Sequence, residues 1–318
     1  MLASGIASAR AGWHLALWDE HRAARLHTLA SADELWVVLR DLCEAHPAMP
    51  VVLPSGLGIP VTRAGDLLDQ DIAEMTGALA ADQAERLLAL LVEARRRVPR
   101  ALCIPAVKLL PTIPLHRKLR RLELGTAEAL CIGVWALYCL QQSGMQSDAA
   151  SFLLVHRGPA GRVLLAVQGG RIADGIGEKL PGLLPPEAAP WTDADRHAHG
   201  PRAPFRVRSP LTLREAEKRL PGCSQLAKDE SLCKEALGLA ALHGLRDVVL
   251  LGDQAPEAIR ILETRLRRIP LSDMAAGHEA ALGGALIAAG LTGGPTASLV
   301  NRLGVREARE RAPDWIEP

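Results

Sequence analysis

Aromatic residues are scarce in this sequence, since Phe, Trp and Tyr together make up 3% of its 318 residues. Proteins that bind single-stranded nucleic acid stack the bases on aromatic side chains, so the scarcity argues against that class. Excess charge is lacking too, with 37 Lys and Arg against 36 Asp and Glu. No strongly basic surface is therefore expected, and neither nucleic acid nor an anionic membrane is a predicted partner.

Paired cysteines are also absent. The six cysteines have neither a CxxC pair nor the spacing of metal ligands, which predicts buried free thiols in a reducing compartment. The N-terminus has no basic segment before an apolar core, and the longest apolar run, 129–140, is too short to span a bilayer. These features predict a cytoplasmic protein. The P-loop, GxSxG and HExxH motifs are missing as well, which disfavours three large enzyme classes.

What the chain does contain is an alternation of strand and helix patterns, which predicts an α/β architecture. The first half has a small-residue turn at 5–12, and then predicted strands at 13–18, 49–60 and 106–110 and helices at 33–44, 82–97 and from 126. The second half opens with three short strands in 152–177 and an irregular segment at 181–210. It continues with a strand at 247–253 and helices at 212–220, 229–243, 256–268 and 274–290.

The segment 107–139 combines an apolar strand, five cations and a Gly125-Thr126 turn that opens an apolar helix. The cations, counting a protonated histidine, are His116, Arg117, Lys118, Arg120 and Arg121. Guanidinium groups and helix N-termini both stabilise anions, so the segment points toward phosphate or nucleotide chemistry.

Three further glycine-containing segments are candidate ligand sites, each with a structural alternative. Gly252 and Asp253 follow a buried strand, which suits a nucleotide site or an ordinary strand-to-helix turn. Gly283 and Gly284 lie inside a predicted helix, where they accommodate either a ligand or a closely packed backbone. The segment 174–177 is predicted as a tight turn whose amides receive phosphate and whose Asp174 holds a metal ion, or as a turn without a ligand.

Several motifs in order along the chain resemble one family. HRKLRRLELGTAEA (116–129), PSGLGIP (54–60), GGRIADGIG (169–177) and AALGGALIAAGLTGG (280–294) are similar to segments of an acetokinase-related family labelled "predicted butyrate kinase". That family resembles the superfamily of sugar kinases, actin and heat-shock chaperone ATPases. By this resemblance, residues 169–177 of the chain would be the second phosphate-loop hairpin.

The resemblance implies an α/β fold of two ribonuclease-H-like (actin-like ATPase) lobes with a nucleotide cleft between them. The first lobe would span residues 1–147 and the second 148–318, with a C-terminal helix returning to the first. ATP and Mg²⁺ are the implied cofactors, and a nucleotide and a small molecule the implied ligands. The implied catalytic residues are Glu123, Glu128 and Asp174, with Asp174 also the metal ligand. The implied cofactor-binding residues are Arg10, Gly125, Thr126, Gly175, Gly177, Gly252, Asp253, Gly283 and Gly284.

The chain departs from the superfamily at both phosphate loops. The first loop normally carries an acidic residue, but this chain has Ala7-Ser8-Ala9-Arg10, and the second lobe opens with His156-Arg157 instead of an acid. Three hypotheses follow: a small-molecule kinase, an inactive nucleotide- or metabolite-binding relative, or a subunit that serves a partner enzyme. By analogy, the setting would be one-carbon (tetrahydromethanopterin-type) cofactor metabolism. A homodimer or a protein partner is compatible with all three.

Overall fold

The computed structural model describes residues 1–77, 79, 81–118, 123–158, 161–177, 221–271, 275 and 277–311. Its first sheet has six strands in the order β3-β2-β1-β4-β6-β5. Their bounds are β1 Leu2–Ser8, β2 Trp13–Asp19, β3 Arg22–Leu29, β4 Val51–Val52, β5 Gly58–Arg63 and β6 Leu102–Pro105. Strands β1, β2 and β3 form an antiparallel meander, and β4 and β6 extend the sheet in parallel with β1.

The second sheet repeats this plan with five strands in the order β11-β10-β7-β8-β9. Their bounds are β7 Phe152–Gly158, β8 Gly161–Gln168, β9 Arg171–Ile176, β10 Asp247–Gly252 and β11 Arg267–Arg268. Again the first three strands form an antiparallel meander, while β10 and β11 are parallel to the first strand, β7. The duplicated strand order agrees with the predicted pair of ribonuclease-H-like lobes.

The described helices complete both halves. They are α1 Ala32–Ala45, α2 Asp69–Thr76, α3 Ala81–Arg97, α4 Leu115–Lys118, α5 Ala127–Gln142, α6 Cys223–His243, α7 Pro256–Glu263, α8 Glu279–Leu291 and α9 Ala297–Arg302. None of the helices in the described part of the chain is long and apolar enough to cross a bilayer. Helices α5 and α8 are buried along nearly their whole length, which explains why both are apolar all round.

Helices α5 and α8 lie at the centre of the molecule and pack against each other and against opposite sheets. Gly133 of α5 faces the side chains of Leu165 and Ile172 in the second sheet. Helix α8 packs on the first sheet, where a Cβ atom on Gly5 would collide with the carbonyl oxygen of Ala281. Helix α5 therefore belongs in sequence to the first half of the chain but packs on the second sheet. Helix α8 belongs to the second half but packs on the first sheet.

Each sheet has one face toward this central layer and the other toward outer helices. In β7, Phe152 and Leu154 belong to the central core, whereas Leu153 and Val155 pack in an outer core with α6 and α7. Strand β2 alternates in the same way, with Ala16 and Trp18 central and Leu15 and Leu17 outer. Apolar residues on both faces make these strands continuous hydrophobic runs, which is why their positions are readable from the sequence.

Most predicted elements are confirmed, including the helices at 33–44 and 82–97 and the three strands in 152–177. Among the cysteines with described side chains, Cys43, Cys103, Cys131, Cys139 and Cys233 are free thiols, of which three are buried. The predicted helix at 212–220 and irregular segment at 181–210 lie outside the described residues.

Four predictions about elements were wrong. The turn predicted at 5–12 is confined to residues 9–12, because residues 5–8 belong to strand β1, whose small residues leave room for the backbone of α8. The strand predicted at 106–110 lies earlier, at Leu102–Pro105, and a 3-10 turn occupies 107–109.

The other two wrong predictions lie in the second half. The segment 174–177 continues β9, because Asp174 and Gly175 pair with Ala166 and Leu165 of β8. The helix predicted at 256–268 stops at Glu263, so that Arg267–Arg268 pairs with β10 as β11.

Candidate functional site

Two cavities lie at the ends of the two sheets. The first-sheet cavity, of about 70 Å³, is beside the β1–β2 turn. It is lined by Ser8, Ala9, Arg10, Trp13, Pro54, Gly56, Leu79, Asp82, Gln83, Arg86, Leu87, Thr126 and Glu128. The second-sheet cavity, of about 500 Å³, is at the carboxyl ends of β7 and β10. It is lined by Trp135, His156, Arg157, Gly158, Leu250, Leu251, Gly252, Asp253, Gln254, Ile259, Arg268, Ala275, Gly277 and Glu279.

The first-sheet cavity brings together three of the predicted site residues, Arg10, Thr126 and Glu128. Thr126 is the N-cap of α5, and its hydroxyl accepts a hydrogen bond from the amide of Ala129 at 3.3 Å. Glu128 lies in the first turn of the helix, where the helix dipole favours a negative charge. Its Oε1 accepts a hydrogen bond from the amide of Ser8 at 2.7 Å. A carboxylate from a distant helix therefore reaches the turn whose own sequence has no acid.

Two arginines share this cavity with the carboxylate. Arg10 is exposed in the β1–β2 turn, and Arg86 comes from α3. The Arg86 guanidinium lies 5.5 Å from the centre of the Trp13 ring and donates to the carbonyl oxygen of Ala9 at 3.3 Å. The ring contact fixes the guanidinium by a cation–π interaction. The cavity thus combines a carboxylate with cations and can hold a small polar molecule.

The second-sheet cavity has the position at which open α/β sheets bind ligands, beyond the carboxyl ends of parallel strands. The predicted residues Gly252 and Asp253 form part of its wall. Gly252 has a φ of +72°, and a Cβ atom there would collide with the carbonyl oxygen of Arg157. The Asp253 amide donates to that same oxygen at 2.9 Å. Glycine is required here so that the β10–α7 turn can pass against the end of β7.

A buried histidine and a buried glutamate face each other in this cavity. His156 at the end of β7 and Glu279 at the start of α8 are 3.9 Å apart from Nε2 to Oε2, and both side chains are 5% exposed. Burial by itself raises the pKa of Glu279. Hydrogen bonding with His156 and with backbone amides outweighs burial and holds the pKa below its usual value. Glu279 is therefore ionised at neutral pH.

Three polar atoms at the second-sheet cavity lack a hydrogen-bond partner among the described residues. They are Trp135 Nε1, His156 Nδ1 and Gln254 Oε1, and all three are buried. The Gln254 amide is oriented by its nitrogen, which donates to the carbonyl oxygen of Leu251 at 2.7 Å. An unpaired buried polar group is costly, so such groups normally have a partner.

The structure places Asp174 elsewhere, in a buried ion pair. Its Oδ1 accepts from the Gly175 amide at 2.9 Å, while its Oδ2 lies 3.2 Å from His243 Nε2 and 3.4 Å from an Arg117 nitrogen. Both oxygens are engaged by groups that a cation would have to displace. The described residues also contain no group of three or more His, Cys, Asp and Glu placed to hold a metal. Asp174 therefore does not fit the metal-ligand role that the resemblance implies for it.

Glu123, Gly175 and Gly177 lie together, apart from the residues that line these two cavities. A Cβ atom on Gly175 would collide with the Leu124 carbonyl oxygen, and one on Gly177 with the Glu123 carboxylate. These glycines let the buried segment 123–125 lie directly on β9. Residues 174–176 continue β9, and the Gly175 amide donates to Asp174 Oδ1, so the predicted tight turn is not formed here. The predicted ligand roles of these residues stay predictions.

The other predicted glycines are explained by packing. A Cβ atom on Gly283 would collide with the carbonyl oxygen of Cys131, so this glycine lets α8 and α5 touch. Gly284 faces the Cα atom of Gly5 in β1, and Gly125 has a φ of +131° just before the N-cap of α5. The predicted alternative of a closely approaching backbone is thus the observed one.

The cation cluster is divided among different partners. Arg117 donates to the Ala173 carbonyl oxygen at 2.8 Å, beside Asp174, and Lys118 pairs with Glu310 at 2.5 Å. Arg120 and Arg121 lie outside the described residues. Arg117 and Lys118 therefore tie α4 to the second sheet and to the C-terminal part of the chain.

Sequence reasoning missed Trp135, Gln254 and Glu279, and it treated His156 only as the absence of an acid. It also missed a histidine pair beside Glu279. The rings of His14 and His278 stack with centres 4.2 Å apart, and His278 Nε2 lies 3.2 Å from the Thr28 hydroxyl. No local motif marks these residues, because they come from distant segments of the chain, among them β2, β7, α5 and α8, and meet only in the folded chain.

Comparison with solved structures supports the fold. Acetate kinase from Entamoeba histolytica superposes with a TM-score of 0.50 at 13% identity, covering 83% of this chain and 86% of that chain. An inorganic polyphosphate/ATP-glucomannokinase from Arthrobacter sp. strain KM covers 90% of this chain and 97% of its own, at 12% identity and a TM-score of 0.43. A PilM–PilN type IV pilus biogenesis complex covers 99% of both chains, at 14% identity and a TM-score of 0.41. The last two likenesses are too loose to carry an argument.

The duplicated sheets and the likeness to acetate kinase define the class: a two-lobed α/β protein with the actin-like ATPase fold, as predicted. The chain belongs to the family described as "Protein of unknown function (DUF1464)", whose sequence profile matches residues 27–189, just over half of the chain. No curated protein matches it in sequence. The family description carries no activity, so membership of the butyrate-kinase family stays a prediction.

Proposed function

We propose that the protein is an ATP-dependent phosphotransferase that acts on a small molecule. The nucleotide occupies the second-sheet cavity, and the acceptor binds at the first-sheet cavity beside Glu128. The observation that carries the proposal is the 500 Å³ cavity at the carboxyl ends of β7 and β10, with Gly252 and Asp253 in its wall. The fold shared with acetate kinase is consistent with this reaction class, although fold alone does not establish it.

The cavity suits a nucleotide for two reasons. Its position beyond parallel strands is the usual ligand site of open α/β sheets. Its lining also contains both hydrogen-bond donors and acceptors, such as the guanidinium of Arg268 and the carboxylate of Asp253. Arg157 and Arg268 also line the cavity, where Arg157 pairs with Asp229 at 3.2 Å and Arg268 with Glu263 at 3.3 Å.

In this proposal Glu128 is the general base. ATP supplies the transferable phosphoryl group when bound. The acceptor hydroxyl gives its proton to the Glu128 carboxylate as its oxygen forms a bond to the γ-phosphorus, and the bond from that phosphorus to the bridging oxygen of ADP breaks. Arg10 and Arg86 stabilise the negative charge that develops beside them. The first-turn position of Glu128 favours its ionised form, as a base requires.

The proposed lobes span residues 1–147 and 148–318. Helix α8 belongs to the second lobe in sequence and packs on the first sheet. Movement of one lobe relative to the other would then change the contacts that the buried N-terminus of α8 makes with both sheets. We propose that nucleotide binding is coupled to the first lobe through this helix.

The test is calorimetric titration of the full chain with ATP, with and without MgCl₂, followed by an acceptor screen that monitors ADP release. We expect ATP to bind and Glu128→Gln to retain binding but lose turnover, because the amide cannot accept the proton. Asp69→Asn is the matched control, since that carboxylate is exposed and lines neither cavity. Absence of ATP binding at millimolar concentration would refute the proposal.

A second candidate function is a non-catalytic nucleotide- or metabolite-binding subunit, with one-carbon cofactor metabolism as the setting suggested by resemblance. Two observations favour it: Arg10 stands in the β1–β2 turn, and the Glu128 carboxylate already accepts the Ser8 amide. ATP binding without turnover, with unchanged affinity in Glu128→Gln, would favour this candidate over the kinase.

A further inference from the structure

Helix α3 has a second apolar face, which points away from the core. The face toward the core is made of the buried residues Leu87, Leu90, Leu91 and Ala94. On the opposite side lie Leu88 and Val92, one helical turn apart, with 45% and 42% of their surface exposed. Ala89 is exposed on the same side. The outer face of a surface helix is normally polar, so this apolar stripe needs an explanation.

Charges of opposite sign stand at the two ends of the stripe. Glu85 lies one turn before Leu88 on the same face, and it is exposed with no ion-pair partner among the described residues. Arg96 lies one turn after Val92, where its side chain is 78% exposed and 3.5 Å from Glu93. The stripe therefore runs from an anion through three apolar residues to a cation.

This order of residues is complementary to itself when two copies of α3 run antiparallel. Glu85 and Arg96 are equally distant from the middle of the stripe, so Glu85 of each copy would face Arg96 of the other. Leu88 and Ala89 would then lie opposite Val92. A two-fold axis through the middle of the stripe produces this contact, and isologous contacts of this kind are the commonest in oligomers. A parallel pair would instead bring like charges together.

The apolar surface continues beyond the helix. Leu68 is 62% exposed just before α2, and its neighbour Asp69 pairs with Arg95 of α3 at 2.5 Å. Leu68 therefore lies beside the C-terminal half of the stripe. Contiguous exposed apolar surface with a polar rim marks interaction sites on soluble proteins. Three turns of helix and one flanking leucine bury less than the roughly 1,200 Å² of a standard interface, so the expected association is weak.

We propose that a second copy of this chain docks on the outer face of α3, as an antiparallel helix pair with Leu88, Ala89 and Val92 at its centre. The pairs formed by Glu85 and Arg96 set the direction of the two helices, since charges at a rim contribute specificity more than affinity. None of the residues of the stripe lines either cavity. The inference is therefore independent of the proposed function.

The experiment is sedimentation velocity of the full chain between about 1 and about 100 µM, the range in which a weak interface associates. The wild type should shift from monomer to dimer as its concentration rises. Leu88→Gln should weaken the dimer at least about tenfold, because the two-fold axis applies the loss of apolar contact twice. Circular dichroism checks that each variant is folded.

Exchange of charges tests the antiparallel arrangement. Glu85→Arg and Arg96→Glu should each weaken self-association about tenfold, because like charges then face each other at both ends. An equal mixture of the two variants should dimerise as the wild type does, since every charge again faces one of opposite sign. Glu230→Arg is the matched control, because it makes the same charge change at a 57% exposed position of α6.

The outcomes decide the proposal. Dimerisation that Leu88→Gln weakens, with recovery in the mixture of charge variants, supports it. A wild type that stays monomeric over the whole range overturns it and leaves the stripe to a different protein. A dimer that none of these changes affects has its interface elsewhere, which overturns the proposal as well. Weakening by both charge variants without recovery in the mixture contradicts the antiparallel pair.

Discussion

The two halves of the molecule have the same strand order, and each opens with a hairpin that meets a glutamate from a central helix. At the first hairpin, Glu128 from the start of α5 accepts the backbone amide of Ser8. At the second, Glu279 from the start of α8 faces the side chain of His156. The two carboxylates occupy corresponding places, but Glu128 accepts a hydrogen bond from a backbone amide, whereas Glu279 faces an imidazole ring.

This difference indicates different tasks. A carboxylate at the rim of a small cavity, next to two arginines, can accept a proton from a small acceptor. The carboxylate of Glu279 instead lines the larger cavity and lies at an ion-pair distance from a buried imidazole. The duplicated fold therefore places a glutamate at each hairpin but gives the two glutamates different contacts.

The largest expected effect is on turnover. Glu128→Gln should lower kcat by about 100-fold or more, since general bases contribute at least that much. Glu279→Gln should instead mainly change affinity for the nucleotide, because Glu279 lines the second-sheet cavity. Steady-state kinetics of both variants with the acceptor found by screening check this. Equal kcat losses in both would mean that the two hairpins do not have separate tasks.

The next effect concerns the helix contact that joins the two halves. Gly283→Ala should reduce the free energy of unfolding by about 3 kcal/mol, because the added methyl group meets the backbone of α5 and neither helix can easily shift. Gly238→Ala in α6 is the matched control, since a methyl group added there would have no neighbouring atom within 4 Å among the described residues. That change should stabilise the protein by up to about 1 kcal/mol through helix propensity. Urea unfolding measures both, and similar values for the two would contradict the close contact.

A smaller effect distinguishes Asp174 from Glu128. Asp174→Asn should cost about 2 kcal/mol of stability, because it leaves Arg117 and His243 partly buried without their carboxylate. The affinity for ADP should not change. A double variant with Arg117→Gln should lose less than the sum of the two single changes if the ion pair is real. Loss of ADP binding without loss of stability would restore Asp174 to the site.

The smallest effect is a pH dependence of stability from His14. Its pKa is lowered in the folded protein, so the unfolded state binds more protons there, and stability falls as pH drops below the ordinary histidine value of 6.5. The lowered pKa of Glu279 acts in a separate, more acidic window, below 4.5. Thermal melts between these values should show a weaker pH dependence in His14→Gln than in His21→Gln. Identical slopes would exclude the stacked histidines as its source.

Much of the fold was readable in advance because its signals are local. The helix at Ala81–Arg97 shows its buried face as apolar residues at helical spacing, and the strands of the second half are short apolar runs between glycine turns. Strand β1 was missed for the opposite reason. Its small residues have weak strand propensity, and they are explained only by a helix that is more than 270 positions away in the chain and packs against them.

The site was predictable in part. Arg10, Thr126 and Glu128 were predicted and meet at one cavity, and Gly252 and Asp253 line the other. Asp174 was singled out because DGxG looks like a turn, yet it continues a strand and its carboxylate contacts Arg117 and His243. The sequence does not show which group a carboxylate contacts. A carboxylate in a structural ion pair and one that binds a metal therefore look alike until the fold is known.

By itself, the sequence determined the α/β class, the order of most elements and the two-lobed fold, because hydrophobic period and short motifs are properties of contiguous residues. The tertiary structure alone decided which charges face each other. Glu128 reaches Ser8 across 120 positions, and Glu279 reaches His156 only because α8 crosses between the two sheets. Ionisation and hydrogen bonding depend on distances of a few ångströms, and those distances are set by packing rather than by neighbours in the chain.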